Sequence, residues 1–189
     1  MLDLSCKLPL TYDCLLQNPT PFERSEIMNI LPIANFALSL SLVLPLAADA
    51  QVLSKYGADV DLTTAKKIIV AAEAEANQKG WPVAIAIVDT HGLLVSFQRL
   101  DQTQHGSVNV AIEKARTAAL FRRESKVFED QIAQGGVNLK LLSLPGALGI
   151  EGGLPIIVDG KVVGGIGVSG AKSSEDAEVG KAGLKAIAN

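Results

Sequence analysis

The sequence predicts an α/β (α+β) domain in which an antiparallel sheet is covered by helices on both faces. Three observations predict it. Two hairpin patterns stand near residues 83–99 and 155–169, with Asp89-Thr90-His91-Gly92 and Asp159-Gly160 as their turns. Helical patterns precede, separate and follow them, so the order is helix, hairpin, helices, hairpin, helix. The strands are rich in Val, Ile, Ala and Gly, which suits a sheet buried on both sides.

The elements follow in chain order. Residues 30–50 form an apolar run without Lys or Arg that closes on Pro45 and the triplet Ala48-Asp49-Ala50. This is the pattern of a secretory signal, so cleavage is expected between Ala50 and Gln51, with 28–50 as the signal and Met28 as initiator. Residues 1–27 then read as an over-extended start or disordered leader. Two prolines, Asn35 and two serines inside the run weaken it as a membrane anchor. Residues 51–60 are expected to be a flexible lead-in to a domain over 61–189. Asp61 or Thr63 caps a helix whose face is Ile68, Ile69, Ala72 and Ala76. Gly80 ends that helix and Pro82 forbids its continuation. Val83–Val88 is a continuous apolar strand, and Leu93–Arg99 returns along it. Ser107 opens a helix to about Phe121. Another helix follows near Ser125–Gln134 and breaks at Gly135-Gly136. The stretch 139–148 is ambiguous between a helical turn and a short strand. Pro155–Val158 and Val162–Ser169 make the second hairpin. Ser173–Ala188 closes the chain as a helix with Glu175, Asp176 and Glu178 at its start and Lys181 and Lys185 near its end, a polarity that suits the helix dipole.

Composition narrows the chemistry. Cys6, Cys14, Met1 and Met28 are the only sulfur-bearing residues, and all precede Gln51. Beyond that point the chain has no disulfide, no thiolate nucleophile and no cysteine metal site. It there carries 15 basic and 15 acidic side chains, which gives no bulk attraction for nucleic acid. A site of several histidines is excluded, because the chain has two. The run Gly164-Gly165-Ile166-Gly167-Val168-Ser169-Gly170 lies within a strand. A dinucleotide fingerprint needs its glycines between a strand and a helix of a parallel unit, so these glycines read as room for a helix or a subunit to approach. No nucleophile elbow is present. A carboxylate iron site at Glu175, Asp176 and Glu178 is less economical than their reading as helix-start acids.

Several motifs together resemble the GlcG/HbpS-like family. They are W-P-V-A-I-A-I-V-D-T-H-G from Trp81, then R-L-D, S-V-N-V-A-I-E-K-A-R-T-A-A, G-G-L-P-I, D-G-K-V-V-G-G-I-G-V-S-G and D-A-E-V-G-K-A-G-L. They span residues 62–187. The resemblance implies a five-stranded antiparallel sheet between helices, a profilin-like three-layer sandwich, and a tendency to form homo-oligomers. It also implies haem binding in some members.

Haem iron takes His, Cys, Met or Tyr as axial ligand. Beyond Gln51 that leaves His91, His105 and Tyr56. His105, in the loop between R-L-D and the Ser107 helix, is the preferred ligand. His91 also reads as an exposed turn histidine and His105 as a solvated loop residue. Arg99 and Lys114 are the cations expected to meet the propionates. The same region supports a pocket for a small organic acid, built from Asp89, Arg99, Asp101, Ser107, Lys114 and Thr117, with Gly152 and Gly153 allowing close backbone approach. There Arg99 clamps a carboxylate, the Ser107 helix start favours an anion, and Asp89 or Asp101 handles protons. The plainer alternative is an Asp89–Arg99 salt bridge across the hairpin ends. The functional expectation is an exported, periplasmic or secreted, small-ligand-binding protein with haem as ligand. An enzyme or accessory protein for a small organic acid, and an oligomer with a vestigial pocket, are the alternatives.

Overall fold

The computed structural model describes residues 54–188; the expected leader (1–27) and signal segment (28–50) lie outside the described residues. In chain order the elements are β1 (Lys55–Tyr56), α1 (Leu62–Lys79), β2 (Ala84–Val88), β3 (Leu94–Arg99), α2 (Ser107–Phe121), α3 (Lys126–Ala133), a 3₁₀ helix (Gly136–Ser143), β4 (Gly153–Val158), β5 (Lys161–Ser169) and α4 (Ser173–Lys185). The ambiguous 139–148 stretch therefore starts in 3₁₀ geometry and contains no strand among the described residues.

β5 is the centre of the sheet. It pairs antiparallel with β2 through Ala84↔Ser169 to Val88↔Gly165, and with β4 through Gly153↔Gly167 to Val158↔Lys161. β2 pairs in turn with β3, with Ala84 opposite Arg99. The second turn places Asp159 and Gly160 both at positive φ, 49° and 71°, which is what a two-residue hairpin of this hand needs. The fifth strand, β1, adds two residues to β5 in parallel. The described part of the segment expected to be flexible is thus tied down. The Gly57 and Val60 N–H groups donate to the Val162 and Val163 carbonyls, and the Tyr56 hydroxyl donates to the Leu120 carbonyl at 2.8 Å.

The pleat sorts the side chains into two layers. Ile85 and Ile87 of β2, with Ile166 and Val168 of β5, join Ile68, Ala72 and Ala76 of α1 and Val179 of α4 in one core. Ala84, Ala86 and Val88 point the other way, onto Ala111, Ala115 and Ala119 of α2. All of β2 is buried, so both of its faces are apolar and no alternation shows in its sequence.

The α2 layer is thin. Its small residues recur every four positions, and they meet glycine in the sheet. A Cβ at Gly165 or Gly167 would run into the backbone carbonyls of Ala115 and Ala111, and one at Gly153 into that of Lys114. The glycine run therefore lets a helix lie close on the sheet, as its strand context implies. α1 is capped as expected: the Asp61 carboxylate accepts from the Thr64 N–H at 2.6 Å, and Gly80 closes the helix in the left-handed conformation.

Candidate functional site

The first hairpin separates residues that the sequence reading grouped together. Val88 and Leu94 pair beside the turn, whereas Arg99 pairs with Ala84 at the far end. Asp89 and Arg99 therefore stand at opposite ends of a strand about 17 Å long at the usual rise per residue. The Asp89–Arg99 salt bridge does not form, and the two cannot share one small ligand.

At the turn end, the Asp89 carboxylate accepts from the N–H groups of His91 and Leu93, both at 2.8 Å. This is a structural turn device. Asp59 accepts from the hydroxyl and N–H of Thr90, and the hydroxyl bond is the main reason its carboxyl lies below the ordinary range. His91 is the exposed turn residue of the plainer reading, with its side chain 74% accessible and its Nδ1 3.8 Å from Asp59. The carboxylates of Asp59 and Asp89 and the His91 imidazole lie within 4.8 Å of one another, but the acidic pair is already satisfied by backbone and hydroxyl donors.

At the far end, Arg99 and Asp101 line a cleft of about 440 Å³ together with Glu73, Asn77, Trp81 and Gln102. The turn that carries them is held from below. Leu100 is buried, and the Thr103 hydroxyl donates to its carbonyl at 2.7 Å, with the Val83 carbonyl at 3.0 Å. Trp81 and Thr103 were missed as site residues. The signal for Trp81 is its place directly after the helix-ending Gly80. Nothing in the local sequence marks Thr103.

A third group is buried and structural. Lys114 was expected to face a ligand. Its side chain is 2% accessible, and its ammonium lies 2.8 Å from the Asp176 carboxylate, itself 3% accessible. The Lys114 side chain passes the edge of the sheet at Gly152, where a Cβ would stand 2.8 Å from the ammonium nitrogen. The pair thus joins helices on opposite faces of the sheet. Asp176 also accepts from the Ala171 N–H at 3.0 Å. Burial pushes its carboxyl above the ordinary range, against the pull of the Lys114 ammonium. Asp176 is therefore no exposed helix-start acid. Ser107 was expected at an anion-binding helix start. Instead it is buried, and its hydroxyl accepts from Ser169 at 3.3 Å. Thr117 donates to the Glu113 carbonyl and accepts from the Leu148 N–H, so it too is occupied.

Ser125 fixes the Gly152-Gly153 segment. Its hydroxyl donates to the Ile150 carbonyl at 2.6 Å and accepts from the Gly153 N–H at 2.9 Å, and the residue is fully buried. Ser125→Ala is expected to cost about 1–3 kcal/mol, because both backbone groups lose their partner. Urea denaturation measures it; a variant as stable as the wild type would refute this role.

Three side chains among the described residues can ligate haem iron. Tyr56 spends its hydroxyl on the Leu120 carbonyl and carries the Arg122 guanidinium 5.0 Å from its ring centroid. His91 lies beside Asp59 and Thr90. His105 is exposed, in the turn just before α2, and its ring has no hydrogen-bond partner among the described residues. Of the two cations expected to meet propionates, Arg99 is exposed and Lys114 is not. Among the described residues, His105 thus offers an exposed imidazole and Arg99 an exposed guanidinium, the groups that a haem at the surface would use.

Comparison with known proteins agrees with this architecture. A family described as haem degrading protein HbpS-like matches residues 60–185. Protein GlcG of Escherichia coli K12 is 39% identical over 105 residues, which cover 56% of this chain and 77% of GlcG. Among solved structures, a double mutant of Streptomyces reticuli HbpS is 30% identical with a TM-score of 0.65, covering 77% of this chain and 98% of that one. A PduOC:heme complex is 25% identical with a TM-score of 0.63, covering 68% and 95%.

Proposed function

The chain belongs to the haem degrading protein HbpS-like family, and from that membership we propose that it is an exported haem-binding protein with His105 as its iron ligand. The observation that carries the reading is the family match across residues 60–185, together with the likeness to a protein solved with haem. His105 is preferred because it alone of the three possible ligands has an exposed ring without a partner among the described residues. Bound haem supplies iron able to take axial ligands, and its surroundings set whether it is stored or broken down. The chain's own part is to present the imidazole and to place the Arg99 guanidinium for a propionate. The aromatic residues beyond Gln51, Tyr56, Trp81, Phe97, Phe121 and Phe128, are too few to line a deep apolar pocket, which supports a surface or inter-subunit seat in a homo-oligomer. The signal pattern of residues 28–50 supports export, to the periplasm or outside the cell. Among the described residues no helix is long and apolar enough to cross a membrane.

Titration of the chain with haem tests the reading. Saturable growth of a Soret band at a fixed stoichiometry is expected; a spectrum that only tracks free haem would overturn it. Ascorbate or peroxide added to the complex then distinguishes its roles. Bleaching faster than that of free haem indicates degradation, and a persistent band indicates sensing, scavenging or storage.

A further inference from the structure

The cleft at the far end of the first hairpin holds more chemistry than a propionate contact needs. Several surface charges are paired, Lys79 with Glu178, Arg116 with Glu113, Lys126 with Asp130 and Lys172 with Glu175, while others, such as Lys66, Lys67 and Lys140, stand singly among the described residues. Glu73, Arg99 and Asp101 surround one hollow, yet none makes an ion pair or a side-chain hydrogen bond among the described residues, and neither does the amide of Asn77 or Gln102. The hollow is also built. Thr103 and Leu100 anchor its floor. Gln102 holds φ at 64°, a left-handed conformation that costs a non-glycine residue about 1 kcal/mol or more. The Trp81 backbone N–H donates to the Ala76 carbonyl at 2.9 Å, and the Lys79 ammonium lies 5.3 Å from the indole centroid.

We propose that this cleft binds a small zwitterion, with a carboxylate and a protonated amine on a short apolar frame. Arg99 offers the planar fork that matches a carboxylate. Glu73 and Asp101 outnumber it, so a ligand with a carboxylate alone would leave two acids of the cleft without a cation. An ammonium group answers them, and the C-terminal end of α1 beside it favours positive charge as well. The half-buried Trp81 gives the apolar frame a flat wall and adds its own attraction for a cation. The volume of about 440 Å³ suits a small metabolite. This reading stands on the cleft alone and does not depend on haem.

The test is calorimetric titration of the haem-free full chain with matched sets. β-Alanine, γ-aminobutyrate and L-leucine are each compared with the acid lacking the amine and the amine lacking the acid. At least one zwitterion is expected to bind, with both single-charge counterparts about tenfold weaker or worse. Arg99→Gln and Asp101→Asn are each expected to weaken that zwitterion about tenfold as well. Unchanged thermal unfolding of the ligand-free variants shows that they are folded. Absence of binding by every zwitterion, or an acid that binds as tightly as its zwitterion, overturns the proposal. Because the readout is heat in the absence of haem, its failure and that of the haem reading are separate results.

Discussion

Gly167→Ala is expected to destabilise the protein by about 3 kcal/mol or more, at the upper end of what overpacking does. The new Cβ would meet the Ala111 carbonyl oxygen and the Ala115 N–H, and both are helix backbone that cannot rotate away. β5 cannot retreat either, since β2 and β4 pair with it on both sides at this residue. Relief requires α2 to lift from the sheet, which loosens its whole alanine layer. Gly106→Ala is the matched control. A Cβ there meets nothing within 4 Å, and φ is −63°, so a change within about 0.5 kcal/mol is expected. Urea denaturation of the two variants decides it; equal stabilities would contradict the close approach of α2.

Lys114→Met is expected to cost about 3–5 kcal/mol at neutral pH, because it leaves the Asp176 carboxylate buried without its cation. The sign of its pH dependence follows from Asp176. Burial already raises that carboxyl, and loss of the ammonium raises it further. The folded state then takes up a proton more readily than the unfolded state, so acidification stabilises the fold relative to neutral pH. The deficit against the wild type is expected to shrink as pH falls toward the ordinary carboxylate range. Lys114→Met/Asp176→Leu removes both charges and is expected to recover much of the loss. Denaturation curves at several pH values measure all three. A deficit that grows on acidification would contradict the pairing.

The two hairpins were legible because their turns carry local chemistry: Asp159-Gly160 must sit at positive φ, and Asp89 caps its own turn. The close seating of α2 was legible too, since glycines inside a strand leave room that something must fill. Ligand contacts were less so, for reasons of distance. Lys114 and Asp176 are 62 residues apart, and each has an ordinary local reading, one as a free cation and the other as a helix-start acid. Asp89 and Arg99 looked like partners because both flank the hairpin. Counting back from the turn would have separated them, since strand pairing carries Arg99 to Ala84. Thr103 gave no signal, because its hydroxyl acts on backbone groups that meet only in the folded chain.

Haem ligation by His105 is tested most directly by the Soret titration repeated on His105→Ala beside His91→Ala. The expected result is that His91→Ala behaves as the wild type while His105→Ala loses the saturable band. A band unchanged in His105→Ala, or lost only in His91→Ala, would contradict ligation at His105.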